Sequence, residues 1–290
     1  MKTSIGILIL NYNNPEMTLE CFQSIRKQSG DLTLSFLIID NGSDEDKHLK
    51  LVQMFHDYGE VEVFRILDNF GPGPAISLGL TKISKNCNYA LMCHNDTVML
   101  DGTLSKLLTS ITNNSEFAAI GTIQVDFDSP NEVKYTGGKF RNPGFIPSHS
   151  KTLLPNVNLK EVDWLDFTSL IFNSRHLEKI GFPNELFDFY WEDSEWSIRA
   201  KKSGFKLGIC AEACVRHKFG ATLGTSSNSR FFEKMVKHHF LVIKMHGKNS
   251  DYLVAKLYWY YKAIQFLFRF QVRKSIWIWK SLRKFGQNRG

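Results

Sequence analysis

Two places in the chain set acidic side chains where they could do chemistry. The first is His94-Asn95-Asp96-Thr97, which cuts off the apolar run Tyr89 to Cys93. Asp96 can carry a hard metal ion and Asn95 can hydrogen-bond a sugar hydroxyl, so the pair suits a charged, polyhydroxylated ligand. Taken alone, the four residues also fit an Asx turn ending a strand. The second place is Glu192-Asp193, which follows an aromatic stretch and opens a helix whose apolar positions include Trp196 and Ile198. A helix N-terminus lowers the pKa of a carboxylate. Burial beside Phe189, Tyr190 and Trp191, and repulsion from Glu192, raise that of Asp193. The sequence does not decide between them, and the pair also reads as a favourable helix start. Trp191 and Trp196 offer flat apolar faces of the kind sugar rings stack on. Glu195 and Arg199 stand four apart, the spacing of a helical ion pair.

These residues need strands and helices to carry them. Ser4 to Leu10 form an aliphatic run without polar alternation, as in a strand buried on both faces of a parallel sheet. Asn11-Tyr12-Asn13-Asn14 ends it, and Pro15 opens a helix to about Gln28 with Asn14 as N-cap. Leu34 to Ile39 make a second strand ending in Asp40-Asn41-Gly42-Ser43-Asp44, with Asp44 placed to cap a helix. Val61 to Leu67 make a third, ending in Asp68-Asn69-Phe70-Gly71 before a helix to about Ser84. Tyr89 begins the fourth. Strand, polar loop and helix, repeated with short connections, predict an α/β fold with a doubly wound, mostly parallel sheet. The polar loops then share the rim at the carboxyl ends of the strands, where such sheets hold ligands. A dinucleotide site is disfavoured, because the loop after the first strand has no glycine.

Leu10-Asn11-Tyr12-Asn13, Ile39 to Asp44, Asn69-Phe70-Gly71 and His94-Asn95-Asp96-Thr97, in this order and each behind a strand, resemble glycosyltransferase family 2. These are inverting nucleotide-sugar enzymes with a GT-A fold. Downstream, Val162 to Phe172 reads as a strand and Arg175 to Ile180 as a short helix. Phe182 to Arg199 looks like the family's segment around its Glu-Asp catalytic pair, and Val215-Arg216-His217 like the histidine that closes the donor site. The resemblance spans roughly residues 4 to 220 and is nearest to bacterial rhamnosyltransferase-type members. It implies a donor site of Asn11, Tyr12, Asn13, Asp40, Asn69, Gly71, Asn95 and Asp96. In it Asp40 accepts hydrogen bonds from a pyrimidine or ribose, Tyr12 walls the base, and Asn11 and Asn13 tie down the loop. It further implies Mn2+ or Mg2+ at Asp96 and His217, Asp193 beside Glu192 as catalytic base, and Trp191 on the acceptor. His94 departs from the pattern: many relatives carry an acid at or beside this position, so the site has one negative charge fewer.

The implied donor is a dTDP- or UDP-linked sugar. The expected acceptor is a saccharide or a lipid-linked saccharide in bacterial surface polysaccharide synthesis. A nucleotidyltransferase would need a basic, glycine-rich loop after the first strand, which is missing. A catalytically inactive, membrane-docking relative has only His94 in its favour.

Five cysteines at irregular spacings fit reduced thiols of a cytosolic protein. Cys210, Cys214 and His217 lack the fourth ligand of a zinc knuckle. The first residues read as a strand, not a signal peptide, and no run of apolar residues is long enough to span a bilayer. The net charge of +7 is unevenly spread: from Arg230 onward, fourteen Lys and Arg face only Glu233 and Asp251, leaving the rest net acidic. The expected division is therefore residues 1–225 as catalytic domain and 226–290 as a basic, amphipathic helical region. In the latter, Lys262, Arg269, Arg273, Lys280 and Lys284 are spaced 7, 4, 7 and 4 apart, as one helical stripe beside many aromatics. That pattern suits the anionic inner face of the cell membrane and a peripheral, cytoplasmic enzyme. Packing of the aromatics on the catalytic domain is the alternative, and no nucleic-acid-binding motif is present.

Overall fold

A computed structural model describes residues 3–153, 157–219 and 229–286. The first half follows the alternation read from the sequence: β1 (Ser4–Asn11), α1 (Pro15–Arg26), β2 (Thr33–Asn41), α2 (Glu45–Phe55), β3 (Val61–Ile66), α3 (Pro72–Ser84) and β4 (Tyr89–His94). Next come β5 (Thr97–Met99), α4 (Thr103–Asn113), β6 (Phe117–Asp126), β7 (Val133–Tyr135), β8 (Gly138–Arg141), β9 (Ile146–His149), β10 (Leu159–Val162) and β11 (Ser169–Asn173). The rest is α5 (Ser174–Ile180), α6 (Glu192–Lys202), β12 (Lys206–His217), α7 (Ser229–His246), α8 (Asn249–Phe268) and α9 (Val272–Phe285).

The main sheet runs β10-β12-β6-β11-β4-β1-β2-β3, with β5 paired to β12 and β7 to β6. β3, β2, β1 and β4 are mutually parallel, and antiparallel β11 joins them to the parallel pair β6 and β12. Strand order reverses between β1 and β4, where the register sets Leu10 opposite His94. An open α/β sheet splits there and leaves a crevice at its carboxyl edge. Side chains alternate across the sheet: Ile5, Ile7 and Ile9 join Phe22, Leu51 and Leu107 of α1, α2 and α4. Leu8 joins Ile76, Leu177 and Trp196 of α3, α5 and α6 on the other face. The result is the doubly wound, mostly parallel GT-A architecture.

Three local expectations change. Val162 to Phe172 is not one strand; residues 163–168 leave the sheet between β10 and β11, and Asp166 lies in that excursion. Asn14 precedes α1 without capping it through its side chain: its amide donates to Tyr12 O at 3.0 Å, and Pro15 starts the helix. Asp44 likewise makes no side-chain cap; its own N–H is taken by Asn13 Oδ1 at 2.8 Å.

The basic stripe is also redrawn. The chain reverses at residues 269–271, with Phe270 in the left-handed region at φ 56°, so Lys262 belongs to α8 and Arg273, Lys280 and Lys284 to α9. A 100° periodicity summed across that break does not describe one surface. The three terminal helices bury an apolar core of their own, including Phe232, Phe240, Trp259, Ile278 and Leu282. α7 also packs on the catalytic region, where Val242 meets Phe187, Trp191 and Ile198. Among the described residues no helix is long and apolar enough to cross a membrane. All five cysteines are free thiols.

Candidate active site

A cavity of about 480 Å³ opens at the β1/β4 switch point. Of the residues expected in the site, Asn11, Tyr12, Asn69, Gly71, Asn95, Asp96, Glu192, Asp193 and His217 line it. Asn13, Asp40 and Trp191 do not.

Asp40 is fully buried, and both its oxygens are engaged within the protein. Oδ1 accepts from Asn11 Nδ2 at 2.9 Å and from the Ser43 hydroxyl, and Oδ2 faces His48 Nδ1 at 2.7 Å. Asn11 in turn accepts from Thr18 Oγ1 at 2.8 Å. Asn13, at φ 55°, receives the Asp44 amide on its side chain and donates its own N–H to Ser43 Oγ at 2.8 Å. These residues lace the β1 and β2 loops together around Tyr12. Asn95 turns its amide nitrogen to Thr18 Oγ1 at 3.1 Å, pinning the β4 corner to α1 instead of offering that donor to a ribose. On the other rim Asn41 Nδ2 donates to Gly71 O at 3.0 Å, and Gly71 N to Asn69 Oδ1 at 2.9 Å.

β5 and β12 pair with His217 opposite Thr97, which brings His217 beside Asp96. His217 Nε2 lies 3.4 Å from Asp96 Oδ1. Behind the ring, Gln124 Nε2 donates to both oxygens of Asp166, at 2.7 and 2.8 Å. The Gln124 amide is thereby oriented with Oε1 toward His217 Nδ1, 2.9 Å away. A carbonyl oxygen only accepts, so Nδ1 carries a proton, and in the neutral form of the imidazole it is Nε2 that turns a lone pair to Asp96. A nitrogen lone pair and a carboxylate oxygen facing each other are the donor set of a shared divalent cation, and Mn2+ accepts both. Among the described residues no three His, Cys, Asp or Glu side chains form a metal cage. Two protein ligands still suit an ion that takes its remaining oxygens from a diphosphate and water. His94 also lines the cavity; burial lowers its pKa and its Nε2 has no hydrogen-bond partner.

Glu192 and Asp193 begin α6 at the same cavity. Burial first, then the neighbouring negative charge of Asp193, pushes Glu192 up to about 8. Asp193 is raised to about 7 by burial and then by Asp166, against the hydrogen bond from the Ser194 amide. The contest left open by the sequence therefore goes to burial over the helix N-terminus. A carboxylate titrating near neutrality is suited to accept a proton during a reaction. Glu195 is not part of this pair: it is fully buried and takes Arg199 Nε at 2.8 Å.

Trp191 is 4 % exposed and lies flat on His239, with ring centroids 4.3 Å apart and planes at 15°. Its faces are spent on packing; the aromatic surface in the cavity belongs to Phe189, Tyr190 and Phe219. Asp166 and Gln124 were not anticipated. The signal available was an acid inside the apolar run Val162–Phe172, and a glutamine inside the buried strand Phe117–Asp126.

A GT-A sheet with an acid and a histidine in its switch-point cavity and a carboxylate pair at the start of α6 defines the class. Residues 6–168 match the model of "Glycosyl transferase family 2", and the chain belongs to that family. It is 22% identical over 235 residues, 81% of this chain and 72% of the relative, to the O-antigen chain rhamnosyltransferase RfbN of Salmonella typhimurium. It is 23% identical over 216 residues to the low-salt glycan biosynthesis hexosyltransferase Agl10 of Haloferax volcanii, covering 72% of this chain and 66% of that one. Among solved structures it resembles GalNAc-T7 with UDP, GalNAc and Mn2+, at TM-score 0.68 and 13% identity over 89% of this chain and 51% of that one. S. aureus TarS 1-349 in complex with UDP-GlcNAc is similar at TM-score 0.64 and 16% identity, over 99% and 81%. The chain thus spans about half of GalNAc-T7 and just under two thirds of the hexosyltransferase.

Proposed function

We propose that the chain is an inverting glycosyltransferase. It moves a hexosyl or deoxyhexosyl group from a UDP- or dTDP-linked donor to a saccharide acceptor, lipid-linked, in surface-polysaccharide synthesis. The observation that carries this reading is one cavity holding both a carboxylate raised to about 7 and the Asp96–His217 pair. Its volume is in the range of small-molecule sites. The rhamnosyltransferase and hexosyltransferase relatives, and neighbours crystallised with UDP or UDP-GlcNAc, support the substrate class.

In this reading Tyr12 and Asn69 receive the nucleoside, and Asn11, Asn13 and Asp40 serve it indirectly by fixing the loops that present Tyr12. Asp96 and His217 would hold Mn2+ or Mg2+, which would supply positive charge against the departing diphosphate. Asp193 takes the proton of the acceptor hydroxyl as that oxygen attacks the anomeric carbon on the face opposite the diphosphate, so the centre inverts. Glu192, kept protonated by burial at neutral pH, spares Asp193 a second adjacent negative charge. Phe189, Tyr190 and Phe219 supply the stacking surface for sugar rings. A lipid-linked acceptor calls for an enzyme docked on the cytoplasmic membrane face, and the basic terminal helices are the candidate anchor.

Asp193→Asn tests the assignment. It is expected to abolish transfer while leaving UDP or dTDP binding measured by calorimetry intact; near-normal turnover would sink the base.

A further inference from the structure

We propose that His238 and His239, consecutive in α7, are positioning residues that hold the strained turn carrying the catalytic carboxylates, so the helical extension completes the active site. This rests on the reading of Asp193 as base. Tyr190 and Trp191 both lie in the left-handed region, at φ 64° and 74°, directly before Glu192 and Asp193. Two successive non-glycine residues adopt that conformation only when their surroundings impose it, and such strain gathers at working sites.

The surroundings that impose it come from α7. His238 is completely buried, with Nδ1 3.0 Å from Phe189 O and 3.1 Å from Tyr190 O. Both partners are carbonyls, so Nδ1 carries a proton and shares it between the peptide oxygen just before the kink and the first one within it. His239 holds the next residue by its face, stacked on Trp191. Its ring is fixed at both nitrogens: Nε2 donates to Gly144 O at 2.7 Å, and Nδ1 accepts from the Trp259 indole at 3.0 Å. Further ties flank the pair. Lys234 meets Asp188 at 2.7 Å, and His246 Nε2 meets Glu195 Oε1 at 2.9 Å, one turn into α6. From the opposite side the start of α3 closes on the same loop. A Cβ on Gly71 or Gly73 would collide with the carbonyl of Asp188 or Phe187, so only glycine permits that approach.

Neither histidine lines the cavity, so each acts through the turn and not on substrate. Filling space would require only an apolar side chain at 238. A donor shared by two successive carbonyls of a strained turn instead sets where the following carboxylates point.

The test compares His238→Leu, His238→Asn and His238→Gln in the full chain. The asparagine amide nitrogen falls where Nδ1 lies, whereas that of glutamine falls one bond farther out. With leucine, turnover, read as release of nucleoside diphosphate from donor, should drop by about tenfold or more, as a displaced reacting group costs. Calorimetric affinity for UDP should stay unchanged, and amide hydrogen exchange across residues 187–193 should accelerate. Asparagine should restore most of both losses and glutamine little. Leucine turnover within about twofold of the parent, or equal behaviour of asparagine and glutamine, overturns the proposal. If the leucine variant does not fold, the asparagine–glutamine difference decides alone. Exchange in the turn does not depend on the identity of the base. An active Asp193→Asn with leucine-accelerated exchange would therefore remove the base and keep the latch, whereas unchanged exchange removes the latch whatever Asp193 does.

Discussion

At the scale of single residues, the site places acid groups where they are costly to ionise. Glu192 and Asp193 are raised to about 8 and about 7, chiefly by burial, against ordinary values of 4.5 and 3.8. A carboxyl with a higher pKa in the native than in the unfolded chain binds protons the unfolded chain has already released. Its contribution to stability is therefore complete below the unfolded value, falls as pH rises from about 4.5, and levels off above about 8. Glu192→Gln removes that loss without removing the shape of the side chain. Its melting temperature should exceed that of the parent by about 2 °C or more at pH 8.5 and converge with it near pH 4.5, a shift of roughly 1 kcal/mol for a chain this size. Parallel melting curves across that range would show that Glu192 ionises freely. His94 is pushed the same way, toward its uncharged form: burial lowers its pKa, against the charge of Asp96.

At the scale of elements, what was legible in the sequence is what the chain holds contiguously. Buried strands of β-branched and aliphatic residues ending in Asn, Asp and Gly announced the rim, with His94 to Thr97 at the end of β4, and the aromatic stretch before a helical pattern put Glu192-Asp193 at the start of α6. What was not legible is assembled through space. Asp40 looks like a ligand-binding acid at a strand end, but Asn11, Ser43 and His48 converge on it from three segments and consume its oxygens. Trp191 looks like a sugar platform until α7, some fifty residues on, lays His239 over it. The Gln124–Asp166–His217 line joins β6, the excursion before β11 and the end of β12, and no local pattern couples them. Under the proposed reading of His217 as a metal ligand, Gln124 and Asp166 are its outer partners, and such partners typically change metal affinity by 10–100-fold when lost. Gln124→Leu should thus weaken Mn2+ binding, measured by calorimetry with UDP present, by about tenfold or more. Unchanged Mn2+ affinity would show that the Gln124 bond does not govern His217.

At the scale of the whole molecule, the terminal helices face two ways. Inward they are wired to the catalytic region at Gly144, whose carbonyl accepts from His239 Nε2 at 2.7 Å and whose amide donates to Asp251 Oδ1 at 2.7 Å. Outward, α8 shows Leu253, Leu257, Tyr261, Ile264 and Phe268, spaced three and four apart along one side. The reversal adds Phe270, 94 % exposed, and α9 adds Val272, Ile276 and Trp279. Between residues 252 and 285 there are eight Lys and Arg and no Asp or Glu. An apolar face inside a purely cationic frame matches a leaflet of anionic lipid, where apolar burial and surface charge act together. The structure shifts the weight of this proposal from the basic stripe to the apolar hairpin. Cutting the chain near residue 250 would strip His239 of its Trp259 partner and expose the helical core, so lost activity would not separate anchoring from active-site support. Replacing Leu257, Phe268 and Phe270 together by serine leaves both cores intact, because all three side chains are exposed. The triple variant should keep its melting temperature and its affinity for UDP while its partitioning onto phosphatidylglycerol-containing vesicles falls by about tenfold or more, each large apolar group being worth on the order of 1 kcal/mol or more when buried. Binding to purely zwitterionic vesicles should be weak for both proteins, and added salt should weaken the parent's binding to anionic ones. Undiminished partitioning of the triple variant would remove the α8–α9 hairpin as the anchor.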